Sequence, residues 1–389
     1  MEVALATDQA AMPAEGVFSP LRIRGLELRN RLVVSPMCQY SAKDGLADDF
    51  HLVHLGKFAQ GGFGLIFTEA TAVREDGRIT HGDIGLWCDD QIAPLKRITD
   101  FIRRCGACSG IQLAHAGRKA CKQRPWEGNG PLTQADRDAG EFPWPVVGPS
   151  PIPVADGWLM PRELTIGEIE EMVGLWRNAA RRAVAAGFDV AEIHGGHGYL
   201  LHQFLSPLTN QRTDAYGGDI SGRMRLPLEI ASAVREVWPA ELPVFFRMSV
   251  TDHAPGGWDV QDSVVLAREL ARRGIDVMDC SSGGLGGLTE ATRVPQAPGF
   301  QVPLSARVRQ DAGVRTMAVG LILDGAQADA VIGAGGADLV AIGREALFNP
   351  NFALHGEAAL GRSGAFESWP VQYGWWLDRR ARLFEAARR

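Results

Sequence analysis

Eight short β-branched or apolar runs recur along the chain, at residues 32–35, 65–71, 110–115, 189–194, 243–249, 276–281, 315–320 and 338–343, each ending in polar residues or glycine. Segments with helical periodicity lie between most of them, for example 169–186, 261–273 and 325–334, and glycines (Gly187, Gly274, Gly335, Gly336) stand where helix C-caps are expected. Alternating strands and helices imply a parallel sheet, because a parallel pair needs a crossover long enough to hold a helix. Eight such units select an α/β (β/α)8 barrel of the TIM type over an open doubly wound sheet. At 389 residues the chain has room for that barrel and for extensions. The division expected is a flexible tail over 1–16, one barrel domain over 17–377 and a C-terminal helix or tail over 378–389.

Residues 121–162 interrupt the pattern. They are rich in proline, glycine and tryptophan and lack a helical period, so they read as a long insertion after strand three, of the kind that forms a lid or binding element. The C-terminal stretch carries Trp369, Tyr373, Trp375 and Trp376 and then a basic amphipathic segment, read as a solvated helix.

Composition narrows the partners. Hydrophobic residues make up 46% and charged residues 22%, and the formal net charge of −6 comes without a Lys/Arg run, which disfavours nucleic acid and anionic membranes. The N-terminus has no basic region leading into an apolar one, and no stretch is apolar for the length of a membrane span, so a cytoplasmic protein acting on small molecules is expected. Six scattered cysteines argue for reduced thiols. Cys105 and Cys108 have CxxC spacing, but without a strand and turn ahead of them they read as ordinary helix-end cysteines.

Barrel active sites gather at the C-terminal strand ends. Strand one delivers Ser35, Pro36, Met37, Cys38, Gln39 and Tyr40; strand two Thr68, Glu69 and Ala70; strand three Gln112, His115, Arg118 and Lys119; strand four His194, His197 and Tyr199. Strand five adds Arg247, strand six Ser281 and Ser282, strand seven Gly320, and strand eight Gly343 and Arg344. Two imidazoles three residues apart can share a metal or donate to one substrate oxygen. Acidic residues at the other strand ends are sparse apart from Glu69 and Glu192, and Glu192 is expected out of step with His194, so the polarising pair is preferred and no metal is expected. Tyr199 offers a phenol that can hand over a proton. Gly320, Gly343 and Arg344 close the last two strands, where barrels bind phosphate through backbone N–H groups, with Arg344 as a clamp. Arg247 enters an apolar mouth and needs a partner, either an anionic cofactor ring or an acid from another strand.

Four segments, SPMCQYS, IQLAHAGRKA, IHGGHGYLLHQFLSPLTNQRTDAYGG and VAIGREALFNP, together resemble the old yellow enzyme family in order and spacing, and specifically its YqjM-like and xenobiotic-reductase-A-like (thermophilic-like) bacterial branch. The resemblance runs from about residue 17 to residue 377. It implies an FMN enzyme with NADPH or NADH as reductant, an ene-reductase acting on α,β-unsaturated carbonyl or nitro compounds. Ser35, Pro36, Met37, Cys38, Ala70, Gln112, Arg247, Gly320, Gly343 and Arg344 would contact FMN, with Arg247 near the N1/C2 carbonyl region. His194 and His197 would bind the substrate oxygen, Tyr199 would protonate Cα after hydride passes from flavin N5 to Cβ, Cys38 would tune the flavin, and Tyr40 would line the pocket. Lys119 corresponds to a lysine near the active-site polar network. Near the C-terminus Trp375 and Trp376 stand where some members carry an arginine that reaches the neighbouring subunit, which favours an apolar pocket wall. A homodimer or homotetramer is implied. A 2,4-dienoyl-CoA reductase lacks support, because the chain has neither the cysteine cluster nor the length; a flavin-storing protein would have no use for Tyr199, and a metal-dependent hydrolase is the third rival.

Overall fold

The computed structural model describes residues 16–286, 296–362 and 366–388; the expected N-terminal tail, apart from its last residue, lies outside them. In chain order the elements are β1 (Leu21–Ile23), β2 (Leu26–Leu28), β3 (Leu32–Val34), α1 (Asp49–Gln60), β4 (Leu65–Ala72), α2 (Ile92–Arg104), β5 (Cys108–Ala114), α3 (Gln134–Asp138), β6 (Val147–Gly148), β7 (Arg162–Glu163), α4 (Ile166–Ala185) and β8 (Val190–Gly195). They continue with α5 (Leu200–Leu205), α6 (Ile220–Val237), β9 (Val244–Ser249), α7 (Val260–Arg272), β10 (Val277–Ser281), α8 (Val302–Ala312), β11 (Arg315–Ala318), α9 (Gly325–Gly333), β12 (Leu339–Ile342), α10 (Arg344–Phe348), α11 (Phe352–Ala359) and α12 (Val371–Arg388).

Eight parallel strands, β3-β4-β5-β8-β9-β10-β11-β12, close into a barrel through the β12–β3 pair, as the alternation predicts. Period-two alternation sorts their side chains. Val33, Leu65, Phe67, Val190, Phe245, Val277, Met317 and Leu339 fill the lumen, while Phe246, Met248, Ile193 and Met278 face the helices. The lower end is plugged by the β1–β2 hairpin, whose Ile23 and Leu28 join the lumen cluster. Phe67 and Phe245 touch there with centroids 5.9 Å apart, so truncating either leaves a void that costs roughly 3–5 kcal/mol. A closed apolar lower half leaves only the upper lumen and its rim for chemistry.

The helices stop and start where local chemistry dictates. Thr165 caps α4 by accepting from the Glu168 N–H, and Asp259 does the same for α7 through Gln261 and Asp262. The inward faces of these helices (Ile169, Met172, Trp176, Ala180; Val264, Ala267, Leu270) bury against the outer barrel surface. The insertion after the third barrel strand holds α3 and β6, and Arg118 pins it to the barrel by donating to the Ile152 and Pro153 carbonyls. The C-terminal helix α12 begins at Val371, directly after Pro370 and seven residues before 378, and it runs on through Gly374. All six cysteines are free, Cys105 ending α2 and Cys108 opening β5. Among the described residues no helix is long and apolar enough to cross a membrane.

Candidate active site

The strand-end residues converge on one mouth. Its floor is polar and fully enclosed. Arg247 of β9 is 5% exposed, donates from an Nη to Ser35 Oγ at 3.1 Å, and lies 3.3 Å from Asp279 Oδ2 on the neighbouring strand. The acid from another strand is therefore the partner that the sequence left open. The Arg247 Nε, though within ion-pair range, is misaligned for a hydrogen bond and has no partner of its own. Gln112 of β5 donates to Glu192 Oε1 at 2.8 Å. Glu192 thus shares the lumen with His194, contrary to the sequence expectation. Residues two apart on a strand point to the same face, so the two were in step all along.

Above the floor, the end of β8 and the loop after it present two imidazoles and a phenol. The rings of His194 and His197 meet edge to face at 5.2 Å, and those of His194 and Tyr199 at 5.1 Å. Burial, with Arg247 nearby, holds both imidazoles well below the usual histidine range, so they are neutral near pH 7. Burial likewise pushes the Tyr199 phenol well above its ordinary value and keeps its proton on. The hydrogen-bond network fixes the tautomers. Gln301 Oε1 accepts from the Ser281 and Ser282 hydroxyls, so the Ser281 oxygen must accept from His197 Nε2 at 2.7 Å. His194 Nδ1 accepts from the Gly196 N–H, which puts the proton on Nε2 and leaves that donor for a ligand.

Two residues outside the sequence reading hold this loop in shape. Asp252 accepts from His202 Nε2 at 2.7 Å and Ser206 Oγ at 2.6 Å, and His202 Nδ1 in turn accepts from the Gly198 N–H at 2.8 Å. His202, at the start of a buried helix inside the same motif, and Asp252, just past the β9 end, carried no signal that tells a positioning network from an ordinary core. Lys119 donates to the carbonyls of His197 (2.9 Å) and Gly284 (2.7 Å), with its ammonium 5.2 Å from the Tyr199 ring centroid. Burial lowers it to about 7.

The strand-one loop closes the opposite wall. Cys38, Tyr40 and Tyr199 pack with Ala70 and Ala114 in one cluster, and burial raises the Cys38 thiol well above its ordinary value, so it stands there protonated. Tyr40 takes a left-handed backbone (φ 51°), held by Glu69, whose Oε2 accepts from the Gln39 N–H at 2.8 Å, and by Arg124, which donates to the Tyr40 carbonyl at 3.2 Å. Trp126 meets the Tyr40 ring edge at 5.9 Å, so the insertion does reach the mouth.

At the ends of β11 and β12 a cavity of about 180 Å3 is lined by Gln301, Gly320, Leu321, Gly343 and Arg344. A Cβ on Gly343 would meet nothing nearer than Met37 Sδ at 4.0 Å, so the backbone there stands open to an approaching group. A larger groove of about 890 Å3 runs over the outer faces of α4, α6 and α7, away from every strand end and from the converging polar groups. Two expected residues are not at the mouth of their own chain: Trp375 and Trp376 are 49% and 66% exposed on α12, packed against each other, with Arg379 over Trp375.

Residues 16–360 match the family model described as the NADH:flavin oxidoreductase / NADH oxidase family. The chain belongs to this family of old-yellow-enzyme-like, flavin-dependent oxidoreductases. It is 44% identical over 349 residues to an NADPH dehydrogenase of Listeria monocytogenes serotype 4a, covering 89% of this chain and 96% of that protein. An NADPH dehydrogenase of Geobacillus thermodenitrificans is 42% identical over 363 residues, covering 92% and 98%. Among solved structures, morphinone reductase superposes with a TM-score of 0.72 at 29% identity, covering 90% of this chain and 91% of that one.

Proposed function

We propose that the protein is an FMN-dependent NAD(P)H:alkene oxidoreductase that reduces the C=C bond of α,β-unsaturated carbonyl or nitro compounds. The observation that carries this reading is the stacking of one mouth in two tiers. Neutral imidazoles and a protonated phenol converge over a floor whose cation, Arg247, keeps a buried Nε without a hydrogen-bond partner. The residues fit FMN. Gln112, Arg247 and Ser35 offer a polar floor to the pyrimidine edge, Ala70, Met37, Pro36 and Cys38 an apolar flank, and the open backbone at Gly343, with Gly320 and Arg344 lining the same cavity, a seat for the phosphate. FMN, when bound, supplies a two-electron carrier that takes hydride from NADPH or NADH and gives it to the alkene carbon.

The chain's own residues do the rest. His194 donates its Nε2 proton to the substrate oxygen, and His197 joins it by exchanging the Ser281 hydroxyl for that oxygen. A neutral donor in a dry mouth favours the charge that builds on oxygen as the C=C bond is attacked, without becoming an acid itself. Tyr199 protonates Cα, its proton kept on by burial. The relatives named NADPH dehydrogenase support NADPH over NADH as reductant. The exposed tryptophans on α12 suit a homodimer or homotetramer in which Trp375 or Trp376 walls a neighbour's pocket, as in the xenobiotic-reductase-A-like branch, and a cytoplasmic setting suits the free thiols.

The test is spectroscopic. The purified protein should be yellow, bleach with NADPH under anaerobic conditions and regain its band on adding 2-cyclohexenone. A colourless protein that FMN cannot reconstitute overturns the whole reading, and bleaching without recovery overturns the substrate class.

A further inference from the structure

Beneath the mouth, two carboxyl groups occupy the lumen that neither substrate handling nor any expected flavin contact uses. Glu192 and Asp279 are each 0% exposed. They approach from β8 and β10, either side of β9, with Arg247 directly beside Asp279 in the β9–β10 register. Gln112 Nε2 reaches Glu192 Oε1, and Arg247 Nε reaches Asp279 Oδ2. The remaining carboxyl oxygens, Glu192 Oε2 and Asp279 Oδ1, and even the ion-paired Oδ2, are buried without a hydrogen-bond partner among the described residues. One cation thus faces two acids. The neighbouring imidazoles of His194 and His197 are neutral and add no second positive charge.

Two carboxylates cannot both stay ionised in a dry space beside a single guanidinium, because each loses its hydration and repels the other. A proton on Glu192 Oε2 relieves the repulsion and lets that oxygen donate to one of the Asp279 oxygens. Burial, then the neighbouring acid, drives Glu192 up, and burial drives Asp279 up despite Arg247. Arg247 forms its ion pair with Asp279 and acts on Glu192 only through space, which decides where the proton sits.

We propose that Glu192 and Asp279 share one proton, with Glu192 the acid and Asp279 the counter-ion of Arg247, and that both are positioning residues for the flavin floor. The protonated Glu192 presents only an acceptor at Oε1, so the Gln112 amide is held with its nitrogen toward Glu192 and its carbonyl turned away, free to meet a donor on the ring edge. The floor carries no net charge, so Arg247 favours a reduced, anionic ring less than an unpaired arginine would. The proposal rests on the FMN reading for its consequence but not for the proton itself.

Both halves can be read separately. In the flavin-stripped protein at neutral pH, infrared difference spectroscopy should find a buried protonated carboxyl band that E192Q removes. In the holoenzyme, E192Q should leave the flavin reduction equilibrium within about twofold, since glutamine mimics the protonated acid. E192Q/D279N removes the one shared negative charge and should shift the equilibrium toward reduced flavin by tenfold or more, about 30 mV for a two-electron couple. D279N alone should shift it less than the double variant, because Glu192 then ionises in its place. An E192Q shift as large as that of the double variant, or the absence of the carboxyl band, overturns the proposal. Should the variants at Asp279 not fold, E192Q and the infrared band still decide. A protein that takes up no FMN fails the function proposed above while leaving the infrared measurement intact.

Discussion

Gly198, between His197 and Tyr199, offers a sharp test of the mouth's geometry. Its φ is +73°, and a Cβ built there would stand 2.4 Å from the Gly284 carbonyl oxygen and 2.8 Å from Leu285 Cα. Gly218 has the same φ of +73° with nothing within 4 Å of its virtual Cβ. The two Gly→Ala variants therefore carry the same backbone cost, about 1 kcal/mol for a left-handed alanine, and only one adds a collision with main chain. Gly284 cannot yield freely, because Lys119 donates to its carbonyl and Arg118 to that of Leu285. Forcing the two loops apart should bring the total for Gly198→Ala to about 3–4 kcal/mol, near the upper end for single substitutions. Urea unfolding of both variants measures the difference. Since the displaced residues hold His197 and Tyr199, the alkene half-reaction followed by stopped flow should slow more than tenfold in Gly198→Ala and stay near wild type in Gly218→Ala. Equal stabilities and equal rates for the two variants would refute the close approach and, with it, the packing of this loop against Gly284.

Tyr199→Phe should slow flavin reoxidation by the alkene roughly 10²–10⁴-fold and leave reduction by NADPH nearly unchanged, as separate stopped-flow experiments would measure; equal losses in both steps would remove Tyr199 from the acid role. Lys119 gives a pH signature. Held at about 7, it carries charge beside the Tyr199 ring below that pH and loses it above, so the alkene step should weaken as pH rises through 7. Lys119→Arg, charged throughout, should move that limb upward; an unmoved limb would assign it instead to Asp83, which burial raises to about 7 in the same region. For stability the sign is opposite: the native lysine binds its proton less tightly than the unfolded one, so this group's penalty shrinks as pH rises from 7 toward 10. Glu69→Gln should raise the alkene KM several-fold and cost about 1–3 kcal/mol by urea unfolding, because the carboxylate that gathers the Gln39 and Tyr40 N–H groups is lost.

What the sequence made legible was whatever a local rule governs. Strand alternation and helix spacing located all eight barrel strands, and β9 (Val244–Ser249) fell within one residue of the expected 243–249. Strand-end position brought Ser35, Cys38, Gln112, His194, His197, Tyr199 and Arg247 to one mouth, since a closed parallel barrel leaves those side chains nowhere else to converge. The C-terminal tryptophans followed a different logic: no rule of spacing says which surface α12 meets, and within one chain it meets little. Glu192 is the most instructive miss. The alternation that placed His194 at the mouth applies two residues earlier with equal force, so setting Glu192 out of step with it misapplied the period of two, and its partners Gln112, Arg247 and Asp279 come from β5, β9 and β10, between 55 and 87 residues away in sequence. Partner identity is a property of the closed barrel, not of any strand. The same holds for Arg247, whose need for an anion was visible in the sequence while its anion, Asp279, became identifiable only when the β9–β10 register set the two side by side. A floor built from Gln112, Glu192, Arg247 and Asp279 is balanced only as a set, so substitutions within it should be strongly non-additive, and the double variant E192Q/D279N should differ from the sum of its singles.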